Sequence, residues 1–252
     1  MKLILPENIF SSILEAVLPQ KSGIEIFHQQ SSLICKDLEY NTSAVALLPT
    51  LDLVNHRNLF VSSKLCVSLD GMLSNSYFYF IEQEKTFQKI FLRGDVSLNE
   101  IILTKILFSE MYSSEIELTL DTSKITEAGR DVIVVGDENF HSWNYQSAIS
   151  LADEVAELLN LPYVNFVFAS HDKKALEEFN KQINPIDERI DGDIINIIKE
   201  LNLSDKAKEF ITENLGSIYF DMTDNEETAV NELVKLIFYH GIIDDMFDVK
   251  FV

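Results

Sequence analysis

The chain carries five histidines and two cysteines, and neither set is spaced for chemistry. His28, His56, His141, His171 and His240 include no pair at i, i+4, so no metal site can be read from the sequence. Cys35 and Cys66 lack C-x-x-C spacing and are too few for a disulfide framework. The glycine-rich dinucleotide and phosphate loops, the G-x-S-x-G nucleophile turn and the H-E-x-x-H zinc helix are all absent. The run Asp187–Asp193 has the acidity of a calcium loop without its alternating oxygen ligands or closing Glu, and reads as a solvated helix start. What remains is a set of short loops that follow apolar runs, at 6–8, 49–52, 71–76, 94–99 and 136–139. Backbone amides at helix starts in such loops, helped by Asn, Ser and Thr side chains, suit a small anion held between strand ends.

Those loops must be positioned by strands and helices, and the composition bounds the kind of protein that builds them. Its 252 residues are 46% hydrophobic and 24% charged, enough for one large domain or two small ones with a real core. Acidic residues outnumber basic ones 41 to 20, a formal charge of −21, which excludes a general nucleic-acid binder and disfavours an anionic lipid surface. No apolar run approaches the ~18 residues of a membrane span, and Pro6 and Glu7 stop the first apolar run short of a signal peptide. A soluble cytoplasmic protein is expected, with no nucleic-acid or membrane partner.

Periodicity predicts an α/β fold. Strands are expected at Lys2–Leu5, Ile24–His28, Ala44–Leu48, Leu59–Leu69, Tyr77–Ile81, Lys89–Arg93, Glu115–Leu120, Val132–Val135 and Tyr163–Ala169. Helices are expected near 8–18, 29–39, 98–110, 147–160 and 172–182, followed by a helical C-terminal segment at 187–200, 204–214 and 223–239. Ser97-Leu98-Asn99-Glu100 and Thr223-Asp224-Asn225-Glu226 read as capping boxes, and Gly129 reads as the end of a short helix after Asp121.

Six segments, in order, resemble the chorismate dehydratase family of the futalosine route to menaquinone. They are AVALLPTLDL (44–53), SLDGMLSNSYFYF (68–80), RGDVSLNEIILTKILFSEMY (93–112), VVGDENF (134–140), SLADEVAELLNLPYVNFVFAS (150–170) and ITENLGSIYFDMTDNEETAVNELVKLIFYHGII (211–243). The resemblance implies a two-lobed, type II periplasmic-binding-protein-like fold with mixed sheets flanked by helices. Residues 1–80 with 173–252 would form one lobe and 81–172 the other. It implies a small carboxylate ligand in the cleft, chorismate, which loses water to give 3-enolpyruvylbenzoate with no metal or organic cofactor. Asn8 and Asn75 would orient the substrate as catalytic residues. Ser97 and Asn99 would hold a carboxylate, and Thr50, Ser74, Ser76, Gly136 and Asp137 would complete the ligand site.

Each of these residues also has a purely structural reading. Asn8 suits an N-cap, Asn75 a turn, Ser97 a cap, and Gly136-Asp137 a tight turn in which Asp137 meets only backbone. Thr50 suits a cap as well as a ligand contact, Phe166 and Phe168 suit the core, and Arg93 and Lys64 suit surface ion pairs. The family's hydroxyl residues at the start of the helix near 98 are here Asn99 and Glu100, and its hinge serine falls on Asn75. A carboxylate at Glu100 competes with an anionic ligand for the same amides. The rival to a lyase is therefore a non-catalytic binding or sensing protein with an altered or lost site.

Overall fold

Short apolar runs bounded by Gly, Pro, Asn and Asp fold as strands, and the segments between them with 3.6-residue periodicity fold as helices. The computed structural model describes residues 1–18, 23–81, 88–123, 129–183, 186 and 190–252. In chain order the elements are β1 (Lys2–Pro6), α1 (Ile9–Val17), β2 (Glu25–Gln29), α2 (Ile34–Tyr40), β3 (Val45–Pro49), β4 (Phe60–Leu69), β5 (Ser76–Tyr79), β6 (Lys89–Gly94) and α3 (Leu98–Tyr112). They continue with β7 (Glu117–Leu120), β8 (Val132–Val135), α4 (Glu138–Ser142), β9 (Ile149–Ser150), α5 (Leu151–Leu159), β10 (Tyr163–Ser170) and α6 (Lys173–Asn180). Last come α7 (Ile190–Glu200), α8 (Asp205–Glu213), β11 (Ile218–Asp221), α9 (Asp224–Tyr239) and β12 (Lys250–Phe251).

The strands form two mixed sheets. The larger has the order β11-β4-β10-β3-β1-β2, with β12 also on β4, and the smaller the order β7-β6-β8-β5-β9. β1 runs parallel to β2 and β3, and β6 runs parallel to β7 and β8. β3, β8 and β10 are buried along their whole length, which is why they read as continuous apolar runs rather than as alternation. Sheet membership changes between Leu69 and Ser76 and returns between Ser150 and Tyr163. Strand 76–79 therefore lies in the smaller sheet and strand 163–170 in the larger, earlier in the chain than the changes expected at 80 and 172.

Every expected strand is present within a few residues. The expected helix at 29–39 divides into a 3₁₀ turn at Ser31–Leu33 and α2. That at 147–160 begins only at Leu151, because Ile149 and Ser150 pair with Phe78 and Tyr77 and the Ser150 side chain then caps α5. β9 and β12, of two residues each, are too short for a period of two to show, and they and β11 are the strands the sequence did not predict. The short helix expected to end at Gly129 and residues 187–189 of the acidic run lie outside the described residues, and α7 begins at Ile190 within that run.

One apolar cluster runs without a break from Leu5 and Phe10 beneath the larger sheet to Leu92 and Ile133 of the smaller. The Tyr145 ring, from the turn after α4, lies 4.9 Å from the ring of Phe210 on α8, so the C-terminal helices also grip the smaller lobe. At ~1.5–3 kcal/mol for each large side chain buried, this shared core holds the lobes together.

Gly94 fixes the closest approach within the smaller sheet. Its φ is +90°, and a Cβ there would lie 2.0 Å from the Val135 carbonyl oxygen. Gly94→Ala should cost roughly 2–4 kcal/mol in urea unfolding, since it combines strain with a backbone clash. Gly216→Ala, where a Cβ meets nothing within 4 Å, should change stability by less than about 1 kcal/mol.

Candidate functional site

The carboxyl ends of β1, β2 and β3 meet those of β6 and β8, and three side chains of the smaller lobe are hydrogen-bonded across the seam. Asp137, two residues after β8, accepts the Ile9 N–H in the first turn of α1 at 2.9 Å. Asp95, directly after β6, accepts the Ser31 N–H on both carboxylate oxygens, at 3.0 and 2.8 Å. Asn99 on α3 accepts the Leu51 N–H at 2.9 Å. Ile9, Ser31 and Leu51 lie just beyond β1, β2 and β3, so each neighbouring strand end of the larger lobe receives one acceptor from the smaller. The two aspartates sit on the same local device. Gly94 and Gly136, with φ of +90° and +86°, each turn the chain sharply at a strand end, and Asp95 and Asp137 follow. Asn139 holds the second turn, its amide donating to the Val134 and Gly136 carbonyls at 2.9 and 3.0 Å.

The start of α3 is filled by its own residues. Glu100 completes the expected capping box, with Oε2 accepting from the Ser97 N–H at 2.9 Å and the Ser97 hydroxyl at 2.7 Å. Its Oε1 accepts the Ser76 hydroxyl at 2.8 Å, which ties the helix to the crossing strand. Asn99 is fully buried, and its amide donates to the Asn165 carbonyl at 2.7 Å and to Asn165 Oδ1 at 2.8 Å. The Ser74 hydroxyl donates to the Ser76 carbonyl and accepts the Ser76 and Ala152 N–H groups. Thr50 donates to the Val164 carbonyl at 2.6 Å. Thr50, Ser74, Ser76, Ser97 and Asn99 thus gather at the seam with internal hydrogen bonds already made.

Asn8 and Asn75 differ from the rest. Asn8 caps α1 through Oδ1, which accepts the Ser11 N–H at 2.9 Å, while its Nδ2 has no hydrogen-bond partner among the described residues. Asn75 accepts the Gly136 N–H at 2.7 Å on its main-chain oxygen, and its side-chain Oδ1 is likewise unpartnered. Both residues are only 4% exposed. A continuous path joins them: Asn75 to Gly136, Gly136 to Asp137, and Asp137 to Ile9 next to Asn8. Phe166 and Phe168 are core residues, and Arg93 is held by Glu138, Asp121 and the Ser123 carbonyl. Lys64 is exposed.

Acidic groups dominate the electrostatics. Burial pushes the Glu100 and Asp137 carboxyls above the ordinary range, against the donors they accept. Asp52, in the turn after β3, is pushed up to about 7 by burial and further by Glu100, while the Cys35 thiol, donating at 3.4 Å, opposes the shift. A separate groove of about 850 Å³ is lined by Asp70, Asp153, Glu157 and Asp221 among others. Among the described residues no group of three His, Cys, Asp or Glu fits a metal ion, and no helix is long and apolar enough to cross a membrane. Asp95 and Asn165 were not among the sequence candidates. The Gly-Asp repeat after two apolar strands, at 94–95 and 136–137, is the signal that marks Asp95. Asn165 inside an apolar strand marks a buried polar partner.

The architecture has solved counterparts. Alkanesulfonate-binding protein SsuA from Xanthomonas axonopodis pv. citri, bound to MOPS, superposes with a TM-score of 0.63 over 100% of this chain and 97% of its own, at 10% identity. This chain has the type II periplasmic-binding-protein fold. Protein AF1704 from Archaeoglobus fulgidus shares the fold, with a TM-score of 0.65, 14% identity and coverage of 96% and 98%. So does the periplasmic aliphatic sulphonate binding protein SsuA from Escherichia coli, with a TM-score of 0.57, 8% identity and coverage of 99% and 90%. No protein-family model and no curated protein matches the sequence.

Asp52 gives the seam a pH signature. Its folded pKa lies above the unfolded value, so its contribution to stability is complete below about pH 4 and is lost as pH rises through about 7. In denaturant titrations the stability of Asp52→Asn relative to the parent should therefore rise between pH 4 and 8, by as much as ~4 kcal/mol. A difference that stays flat across that range would contradict the assignment.

Proposed function

We propose that this chain is a non-catalytic small-ligand-binding protein whose ligand sits in the seam between the lobes, against Asn8 and Asn75. The observation that carries this reading is the contrast within the candidate set. Five polar side chains are engaged internally, whereas Asn8 Nδ2 and Asn75 Oδ1 are buried and unpartnered. A buried, unpaired amide atom costs about 1–3 kcal/mol, and a bound ligand offsets that cost. The fold supports the reading, since the solved counterpart bound to MOPS holds a small molecule. The reading places the protein in the cytoplasm, which suits two buried cysteines that are not joined in a disulfide.

A second reading, a chorismate dehydratase, draws support from the same two asparagines. Asn8 and Asn75 are the residues that the resemblance assigns to substrate orientation, and they share one hydrogen-bonded path. Against it stand the backbone amides. A substrate with two carboxylates needs donors for both, and the Ile9, Ser31 and Ser97 N–H groups already serve Asp137, Asp95 and Glu100. No Lys or Arg forms an ion pair with these carboxylates among the described residues.

Incubating the purified chain with chorismate and following the products by mass spectrometry separates the two readings. Under the binding reading, chorismate survives unchanged. A product lighter by one water, absent with boiled protein and with either Asn8→Ala or Asn75→Ala, would make the chain a lyase.

A further inference from the structure

The seam carries four buried or half-buried carboxyl groups, Asp52, Asp95, Glu100 and Asp137, around the places where an anion would dock. Two of them do more than repel. Asp137 takes the first-turn amide of α1, the position at which a helix dipole and a free N–H would otherwise receive a ligand's negative charge. Asp95 takes the Ser31 amide with both oxygens, as a ligand carboxylate would. These contacts cross from one lobe to the other, so they satisfy the donors and hold the lobes together at once. The groups left over are uncharged. Asn8 Nδ2 offers donors, Asn75 Oδ1 offers an acceptor, and the Ser31 hydroxyl, also unpartnered among the described residues, can do either.

We infer that Asp95 and Asp137 stand in permanently for the anionic part of a ligand, and that the seam selects a small uncharged molecule bearing an amide-like acceptor and donor over the corresponding carboxylate. This rests on the small-ligand reading and names the class of molecule it concerns. A carboxylate entering the seam would meet like charges, and the Ile9, Ser31 and Ser97 amides already serve Asp137, Asp95 and Glu100. A primary amide of the same shape lets its carbonyl accept from Asn8 Nδ2 and its NH₂ donate to Asn75 Oδ1, leaving neither buried atom unpaired.

Matched acid and amide pairs test this directly: acetate with acetamide, benzoate with benzamide, and nicotinate with nicotinamide. Each is titrated into the ¹⁵N-labelled full chain while the side-chain amide signals of Asn8 and Asn75 are followed. At least one amide should shift both signals and bind at least tenfold more tightly than its acid. In the Asp95→Asn/Asp137→Asn double variant, which keeps an acceptor for the Ile9 and Ser31 amides but removes both charges, that ratio should fall at least threefold. An acid binding as tightly as its amide would overturn the selectivity and leave the small-ligand reading standing. A ratio unchanged in the folded double variant would remove Asp95 and Asp137 from the explanation and overturn the inference in that form. If no member of any pair moves either signal, the small-ligand reading fails with it. Should the double variant not fold, the comparison in the parent chain alone still decides the selectivity.

Discussion

Two aspartates, each set on a glycine turn at the end of a parallel strand, hold the lobes of this protein against one another. Asp137 and Asp95 reach from β8 and β6 to amides beyond β1 and β2, and the rest of the seam follows from that registration. With those strand ends fixed, Asn99 falls opposite Leu51, and Glu100 falls within reach of Ser76 on the crossing strand. A hydrogen bond to a charged acceptor contributes ~1.5–3 kcal/mol net, several times an exposed ion pair. Two amides satisfied this way, with a third on the neutral Asn99, give the closed arrangement a polar reason to exist beyond its apolar core.

The carboxyl groups are tolerated because each has donors, and they are tolerated unequally. Asp95 accepts one N–H shared between its two oxygens, Glu100 accepts three donors, and Asp137 accepts one. Asp52 accepts from the weak Cys35 thiol, and burial pushes its pKa up to about 7. A carboxylate without good donors takes up a proton rather than remaining charged in a dry site. At neutral pH the seam therefore carries less negative charge than its carboxyl groups could, and among the described residues no Lys or Arg forms an ion pair with Asp95, Glu100 or Asp137.

The fold was legible wherever local pattern and tertiary demand agreed. The buried runs VALLP and VIVV became β3 and β8, and the Ser97–Glu100 and Thr223–Glu226 boxes became the starts of α3 and α9. It was illegible where pairing alone creates the element, as for β12, two residues recruited by the first residues of β4. The candidate site divides along the same line. Asn8 as an N-cap and Asp137 as a backbone contact follow from residue type and position. That the backbone contacted by Asp137 belongs to the other lobe, and that Asn99 is saturated by Leu51 and Asn165, depends on contacts more than 40 residues apart in sequence. Spacing carries no information about such contacts.

The seam also shows why a shared scaffold is a poor guide to a shared ligand. In a two-lobed fold, the strand ends and helix starts that receive an anion are made of backbone, so they persist whatever the side chains do. Sequence can cancel that capacity without disturbing the fold, by supplying an acceptor of its own for each amide. Placing Asp after Gly at two adjacent strand ends does this with two substitutions' worth of chemistry, and Glu100 does the same at a third helix start. What then discriminates between ligands is the small remainder of unpaired side-chain atoms. In this chain that remainder includes Asn8 Nδ2 and Asn75 Oδ1, together with the Ser31 hydroxyl, and these groups respond to hydrogen-bonding pattern rather than to charge.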